Sequence, residues 1–158
     1  MAIDLLAMQQ PMAVDLRFLL SVIKINADLE RVGDQAVNIA ERGIDLSKFP
    51  VAELPVDIAR MASIAAGMVH QSLQAFIEEN VLLAQQVLER DDVVDAINRE
   101  AFESLTQVMQ GNPSLTRQAL DSLIVARNLE RVADHATNIA EDVIFWVRGA
   151  DVRHHGVS

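Results

Sequence analysis

Pairs of acidic residues separated by four positions recur along the sequence. They are Glu30 with Asp34, Asp91 with Asp95, and Glu130 with Asp134. On an α-helix, residues i and i+4 lie on the same face, and like charges at that spacing destabilise an exposed helix by about 0.2–0.5 kcal/mol. A bound cation would remove this repulsion, and carboxylate oxygens are suitable ligands for hard or intermediate metal ions. The spacing therefore indicates candidate metal-binding edges.

Two of these pairs belong to a segment that occurs twice. Residues 29–41 and 129–141 align at an offset of 100 residues, with 10 of 13 positions identical. If both copies are helical, Glu, Asp, Asn and Glu fall on one stripe, and apolar residues occupy the opposite side. The stripe residues are Glu30, Asp34, Asn38, Glu41, Glu130, Asp134, Asn138 and Glu141. The repeat predicts two related helical units.

The stripe also admits a simpler interpretation. Charged residues opposite an apolar face commonly contact only water, and Arg31 and Arg131 beside the stripe could partly neutralise the carboxylates. A solvated edge, however, has no physical need for the same four residue types at the same positions in both copies. For a single helix, a solvated edge and a cation site are both open interpretations.

Composition restricts the class of protein. The chain has 158 residues, of which 51% are hydrophobic and 4% aromatic, and its net charge is −10 at pH 7. This length indicates one domain or two small repeats with a shared core, and the negative charge is unsuited to the phosphates of nucleic acids. The absence of cysteine excludes disulfides and thiolate sites. No apolar run approaches the ~20 residues of a membrane span, and no signal peptide is recognisable, so we expect a cytoplasmic protein.

Proline and glycine positions divide the chain into predicted helices. We expect a short helix at Met1–Gln10, a long helix at 12–44 that ends near Gly43, a connection at Asp45–Pro55 and a helix at Val56–Glu89. The acidic stretch Val87–Asp95 is predicted to be a hinge, with Asp91 or Asp92 as the cap of a shorter helix that ends near Met109. A turn at Gly111-Asn112-Pro113 follows, with Ser114 as the predicted cap of a last helix at 114–148 that ends at Gly149. Residues 150–158 are predicted to be a disordered tail.

The predicted turn at Pro113 allows the positions of the acidic residues to be compared. Glu130 lies about 17 residues, or about 25 Å, along the last helix from this turn, and the same count backwards reaches residues 93–94. Antiparallel packing would then place Glu89, Asp91 and Asp95 level with Glu130 and Asp134. Facing carboxylates on two helices require a cation or several arginines, so this geometry favours a metal site over a solvated edge.

The doubled pattern (Leu/Ile)-Glu-Arg-(Val/Ile)-x-Asp-x-Ala-x-Asn-Ile resembles the PhoU family of phosphate-signalling regulators. Two further segments share the resemblance: Val87-Leu88-Glu89-Arg90-Asp91, and Gln10-Pro11 with Asp15-Leu16-Arg17. It covers residues 1–150 and implies an all-α fold of two tandem three-helix bundles related by a pseudo-twofold. It also implies bound metal ions, iron or zinc being expected, on the pairs Glu30–Asp34 and Glu130–Asp134 and on the acids Glu89, Asp91 and Asp95. Asn38, Glu41, Asn138, Glu141, Arg31 and Arg131 would support these motifs.

The resemblance further implies a role and partners. The protein would be a cytoplasmic, non-enzymatic negative regulator of phosphate uptake and of the phosphate-starvation response. It would act by binding the ATPase of a phosphate ABC transporter and a sensor histidine kinase.

The chain departs from the family pattern at its beginning. Family members have six helices, and here the first long helix and much of the second are expected to be missing before Met1. Residues 1–46 would then form a partial first repeat without acids that face Glu30 and Asp34, and residues 53–149 a complete second repeat. The missing helix would expose apolar surface on residues 12–44, so we expect a homodimer.

Two alternative functions belong to other classes. A metal-free helical scaffold would use the same bundle without cations. A carboxylate-bridged di-metal enzyme of the ferritin-like type requires Glu-x-x-His pairs inside a four-helix bundle, and none of the four histidines stands three residues after a Glu. The sequence also contains no nucleophile–base constellation and no Gly-rich phosphate loop, so we predict no enzymatic activity.

Overall fold

The structure is a computed structural model and describes residues 13–149. Four helices account for the regular structure of these residues, together with a short 3₁₀ turn at Pro113–Leu115. The helices are α1 (Ala13–Leu46), α2 (Ile58–Ile77), α3 (Val81–Gly111) and α4 (Thr116–Arg148). The all-α prediction is confirmed, and the predicted helix Met1–Gln10 and the predicted disordered tail 150–158 lie outside the described residues.

Helix α4 lies at the centre and packs against each of the other three helices. With α2 and α3 it forms a three-helix bundle, and α1 packs along the other side of α4. The bundle core consists of fully buried apolar side chains, and its many alanines let the helices approach closely. Core residues from all three helices are Met61, Met68, Val87, Ala126, Ala133 and Val143.

The predicted helix Val56–Glu89 is wrong in its extent, because the chain breaks earlier, at residues 78–80. Asp57 caps α2 by accepting a hydrogen bond from the Arg60 N–H at 2.9 Å. Glu79 has a positive φ of 53°, and the Asn80 side chain accepts a hydrogen bond from the Leu83 N–H at 3.1 Å, which starts α3. An asparagine cap satisfies one of the free donors at a helix start, so the break needs no proline or glycine.

The predicted acidic hinge at Val87–Asp95 is also wrong. This stretch lies in the interior of α3, which runs without interruption from Val81 to Gly111. Asp91 and Asp92 therefore cap no helix. The physical reason is that the break at residues 78–80 already separates α2 from α3. Asp91 instead lies on the side of α3 that faces α4, near Glu130 and Asp134.

The later helix ends agree with the sequence more closely. Asn112, not the predicted Ser114, caps the turn: its side-chain oxygen accepts hydrogen bonds from the Ser114 N–H at 3.2 Å and the Ser114 hydroxyl at 2.6 Å. Gly149 ends α4 as predicted. Its φ of +68° lies in the left-handed region that favours glycine, and its N–H donates to the Phe145 carbonyl at 2.8 Å.

The contact between α1 and α4 is antiparallel and nearly symmetric. The Ser21 hydroxyl donates to the Asp142 carbonyl at 3.2 Å, and the Arg42 guanidinium donates to the Asp121 carboxylate at 3.4 Å. Ser21 corresponds to Asp121, and Arg42 to Asp142, at the repeat offset of 100 residues. The two contacts are therefore equivalent positions exchanged between the helices, as expected for a local twofold axis between α1 and α4.

A second pair of contacts obeys the same relation. The Asn138 amide donates to the Asp28 carboxylate at 3.3 Å, and the Asn38 amide donates to the Asn128 side-chain oxygen at 3.5 Å. Asp28 corresponds to Asn128, and Asn38 to Asn138. The repeated segments thus pack directly against each other in one register.

Candidate metal centre

Helices α3 and α4 bring four of the predicted acidic residues together. Asp91 and Asp95 lie one turn apart on α3, and Glu130 and Asp134 lie one turn apart on α4. The charges of Asp95, Asp134 and Glu130 all act on Asp91, which requires the two pairs to be close in space. We call these four residues the acidic cluster. The antiparallel register estimated from the Pro113 turn therefore places these four residues as expected.

Burial and mutual repulsion both disfavour the charged forms of these carboxyls. Burial raises the pKa of Asp91 from its ordinary value of 3.8 to about 6, and the charges of Asp95 and Asp134 are the next causes. Burial is also the largest cause that raises the pKa of Glu130 and of Asp134, followed by the charge of Asp134 for the first and of Asp95 for the second. The folded protein thus holds more negative charge here than its own groups balance.

Two oxygens of the cluster are buried without a hydrogen-bond donor. They are Oδ1 of Asp91 and Oε2 of Glu130. The other oxygen of Glu130, Oε1, is close to the Arg127 guanidinium, which pairs with it across one turn of α4. A buried polar oxygen without a partner is unfavourable, so these atoms are suited to a ligand that carries positive charge.

The donor chemistry of the acidic cluster suits a hard or intermediate cation, since such ions prefer carboxylate oxygens. Within residues 13–149, no three acidic or histidine side chains are already arranged to hold one metal ion. The cluster is therefore a set of converging carboxylates rather than a finished coordination sphere. Beside it, an open groove of about 510 Å³ between α3 and α4, lined by Asp95, Arg99, Phe102, Arg127 and Glu130 among others, leads to solvent.

Three predicted ligands lie apart from the acidic cluster. Glu89 is exposed on α3 and is not among the charges that raise the pKa of Asp91, Glu130 or Asp134. Glu30 and Asp34 are exposed on α1. Within residues 13–149, α1 packs mainly against α4, and its Phe18 ring also stacks on Phe76 of α2.

Of the predicted supporting residues, the two asparagines lie in the α1–α4 contact, and the arginines and glutamates lie at or near the surface. Asn38 and Asn138 bridge α1 and α4, as described above, rather than supporting an acidic edge. Arg131 is exposed and opposes the raised pKa of Glu130 and Asp134 as one of the smaller effects, and Arg31 lies 3.9 Å from the Asp28 carboxylate. Glu41 is exposed and Glu141 is half-buried.

Two contacts near the repeated segments were not predicted from the sequence. Arg127 is the main cationic neighbour of Glu130. The sequence could have indicated this ion pair, because the two residues are three positions apart on one helix. The His135 Nδ1 atom lies 2.8 Å from the Asp28 carboxylate across the α1–α4 contact. Asp28 stands just before the first copy of the repeat, where the second copy has Asn128, and this difference was the available signal.

None of the helices in residues 13–149 combines the length and apolar character that crossing a membrane would require.

Comparisons with known proteins give consistent results. A family model described as the PhoU domain matches residues 1–43 and 58–143. The chain is 39% identical to the phosphate-specific transport system accessory protein PhoU homolog of Pseudomonas aeruginosa, over 99% of this chain and 65% of that protein. The protein of the same description from Caulobacter vibrioides is 39% identical over 96% of this chain and 66% of its own length. The one from Aquifex aeolicus is 40% identical, over 98% and 70% respectively.

Solved structures are similar over the same region. The crystal structure of PhoU from Pseudomonas aeruginosa superposes with a TM-score of 0.90 at 37% identity, covering 94% of this chain and 72% of that chain. The phosphate transport system regulatory protein PhoU from Streptococcus pneumoniae gives a TM-score of 0.85 at 27% identity, covering 96% and 70%. The chain spans about two thirds of the length of the curated relatives, 65% and 66% for the first two.

Proposed function

Because the chain belongs to the PhoU family, we propose that it is a negative regulator of phosphate uptake and of the phosphate-starvation response. The observation that carries this proposal is 39% identity, over 99% of the chain, to a protein described as an accessory of phosphate-specific transport. We propose that it acts in the cytoplasm, by binding rather than by catalysis. Its partners would be the ATPase of a phosphate ABC transporter and a sensor histidine kinase, and it would function as a homodimer.

A genetic experiment tests the regulatory role. The 158-residue chain is expressed in a bacterium that lacks its own regulator of this family, and a phosphate-starvation reporter is measured in phosphate-rich medium. We expect the reporter to fall and the uptake of labelled phosphate to decrease. A reporter that stays fully active, although the folded chain is present in the cell extract, would contradict the proposal.

Binding to the two proposed partners is tested with purified proteins. The transporter ATPase and the cytoplasmic part of the kinase are immobilised separately, and the chain is passed over each. A variant with a disrupted core, Leu105→Lys, serves as the control for unfolded protein, because Leu105 is fully buried. Saturable binding of the native chain to either partner supports the mechanism. If the chain binds neither the ATPase nor the kinase, direct action on them is excluded.

We also propose that the acidic cluster binds a metal cation, with iron or zinc as the first candidates. The cluster supplies four carboxylates from two helices, and the buried oxygens on Asp91 and Glu130 that lack donors support this proposal. A bound cation would supply the positive charge that neutralises the cluster and would fix α3 against α4. The alternative is a metal-free scaffold, which is favoured by the lack of three side chains already arranged around one point in residues 13–149.

Metal content measured by plasma mass spectrometry decides between these two states. The protein is purified without tag or chelator, and Asp134→Asn is compared with Glu89→Gln, which removes an exposed charge from α3 outside the cluster. We expect at least one metal equivalent in the native chain and in Glu89→Gln, and a marked loss in Asp134→Asn. Equal metal content in all three proteins would place the metal outside the acidic cluster. If the native chain contains no metal even after reconstitution with metal ions, the bundle is a metal-free scaffold.

A further inference from the structure

The groove between α3 and α4 beside the acidic cluster is lined by three kinds of side chain in a fixed order. All of its lining residues belong to these two helices. Because α3 and α4 run in opposite directions on either side of the Pro113 turn, the order is the same on both walls. Along the groove, the lining changes from acidic to basic to apolar: Asp95 with Glu130, then Arg99 with Arg127, then Phe102 with Leu123.

The two arginines of the groove are only partly used by the protein itself. Arg99 is exposed, and no carboxylate within residues 13–149 forms an ion pair with it. The Arg127 side chain is 55% exposed and pairs with Glu130 through its Nη1 atom. A guanidinium carries five N–H donors in a planar fork that matches the oxygens of a phosphate group. Both arginines can therefore donate to a phosphate in the groove.

The apolar end of the groove presents an aromatic ring. Phe102 is 59% exposed, and no ring of residues 13–149 stacks on it. An exposed ring beside arginines is a platform on which a nucleic-acid base can stack. The half-buried Asn98 also lines the groove, and its amide can both donate and accept hydrogen bonds. This end therefore suits a flat, heteroatom-bearing ring.

The size of the groove agrees with a ligand that carries both a phosphate and a ring. Its volume is about 510 Å³, within the range of about 300–1,000 Å³ for small-molecule sites. From Asp95 to Phe102, α3 rises by about 10 Å. This length exceeds that of a single phosphate ion and is comparable with a nucleoside diphosphate from its terminal phosphate to its base.

The charges of the groove make anion binding depend on a cation. The lining contains three carboxylates, on Asp95, Glu103 and Glu130, against the two guanidinium groups, so its net charge is −1. The whole chain carries −10, and a phosphate alone would be repelled. A divalent cation on the acidic cluster would reverse the sign of the local charge. The binding of cation and anion would then be coupled, each raising the affinity of the other.

We propose that the groove between α3 and α4 is a metal-dependent nucleotide-binding site. The phosphates would contact Arg99 and Arg127 beside the cation on the acidic cluster, and the base would stack on Phe102. This inference rests on the proposed metal binding and adds a second ligand to it. It would give the regulator a small-molecule input that is separate from its protein partners.

Isothermal titration calorimetry with ADP tests the proposal on the 158-residue chain, reconstituted with zinc and dialysed. We expect saturable binding of ADP, weakened about 10-fold or more when a chelator has removed the zinc. Zinc content is measured by plasma mass spectrometry before and after the titration. A chain that keeps its zinc but does not bind ADP would overturn the nucleotide site and leave the metal proposal intact. A chain that retains no zinc would overturn both, and equal ADP binding with and without zinc would overturn the metal dependence.

Two variants test the assigned residues. Arg99→Ala and Phe102→Ala should each weaken ADP binding about 10-fold, and both should keep the zinc content of the native chain. The matched controls are Arg90→Ala, an exposed arginine on α3 outside the groove, and Leu82→Ala, a leucine on α3 that is 67% exposed. Neither control should change the affinity. Equal losses in a variant and its control would show that the groove is not the site.

Inorganic phosphate distinguishes a nucleotide from a free anion. The zinc-loaded chain should bind phosphate about 10-fold or more weakly than ADP, and Phe102→Ala should leave phosphate binding unchanged. Phosphate that binds as tightly as ADP, together with an unchanged ADP affinity in Phe102→Ala, would overturn the assignment to a nucleotide. Circular dichroism of each variant checks the fold, which these substitutions should preserve because Arg99 and Phe102 are exposed.

Discussion

Removing the charge of Asp91 should stabilise the protein when no metal is present. In Asp91→Asn, the side chain keeps its shape but no longer carries a charge into the acidic cluster. Burial and the neighbouring carboxylates raise the pKa of Asp91 from 3.8 to about 6, which means that the ionised form is less favourable in the folded protein than in the unfolded chain. The neutral variant does not carry this penalty.

The size of the effect follows from the shift. The rise in the pKa of Asp91 from 3.8 to about 6 corresponds to about 3 kcal/mol of unfavourable free energy for the ionised form in the folded protein. Because Asp91 is only half-buried, solvent screening reduces the expected gain to about 1–1.5 kcal/mol. The pKa is higher in the folded state, so the stabilising contribution of the protonated group is complete below about pH 3.8 and is lost as the pH rises through about 6. The advantage of the asparagine variant should therefore be small near pH 4 and complete by about pH 7.5.

Urea unfolding followed by circular dichroism measures the free energy of unfolding of both proteins at these two pH values, in chelator. Glu89→Gln is the control, since it removes an exposed charge from the same helix, and its effect should be within about 0.5 kcal/mol. The reasoning would be refuted if Asp91→Asn were less stable than the native chain at about pH 7.5, or if its advantage were equal at both pH values. Added metal should reverse the order, because the native carboxylate can bind the ion.

Three further variants test the packing described above, each by urea unfolding. Asn80→Ala removes the side chain that starts α3 and should lower the free energy of unfolding by about 1 kcal/mol; an unchanged value would mean that Asn80 does not fix the break between α2 and α3. His135→Ala leaves the buried Asp28 carboxylate without its nearest partner and should cost about 2–3 kcal/mol, whereas His135→Gln, which restores the residue type of the first repeat, should cost less; equal losses would argue against the contact. Met68→Ala creates a cavity in the core and should cost about 2–5 kcal/mol, and a loss below about 1 kcal/mol would contradict its complete burial.

The sequence was sufficient for the features that depend on periodicity. The repeated segments are helical because their apolar residues recur every three to four positions, and the Pro113 turn gave the register of the helices on either side of it. That register placed Asp91 and Asp95 next to Glu130 and Asp134. Gly149 ended the last helix because a positive φ favours glycine.

The missed features depend on contacts between distant residues. The break after Ile77 contains neither proline nor glycine, and Asn80 is one of many polar residues that can either cap a helix or lie within it. The sequence predicts Asp91 or Asp92 as a cap because the local sequence cannot distinguish a cap from an interior acid that faces another helix. Likewise, Asp28 and His135 are 107 positions apart, and their contact follows only from how α1 and α4 align.

The difference between the two halves of the α1–α4 contact determines which helices can pair. One half contains Asp28 and His135, and the corresponding positions of the other half are Asn128 and Gln35. If α1 met a second α1 in the same register, Asp28 would face Gln35, and its buried charge would have no histidine. If α4 met a second α4, His135 would face Asn128 and no carboxylate. The duplicated helices thus recognise each other better than themselves, so α1 should pair with an α4 rather than with another α1.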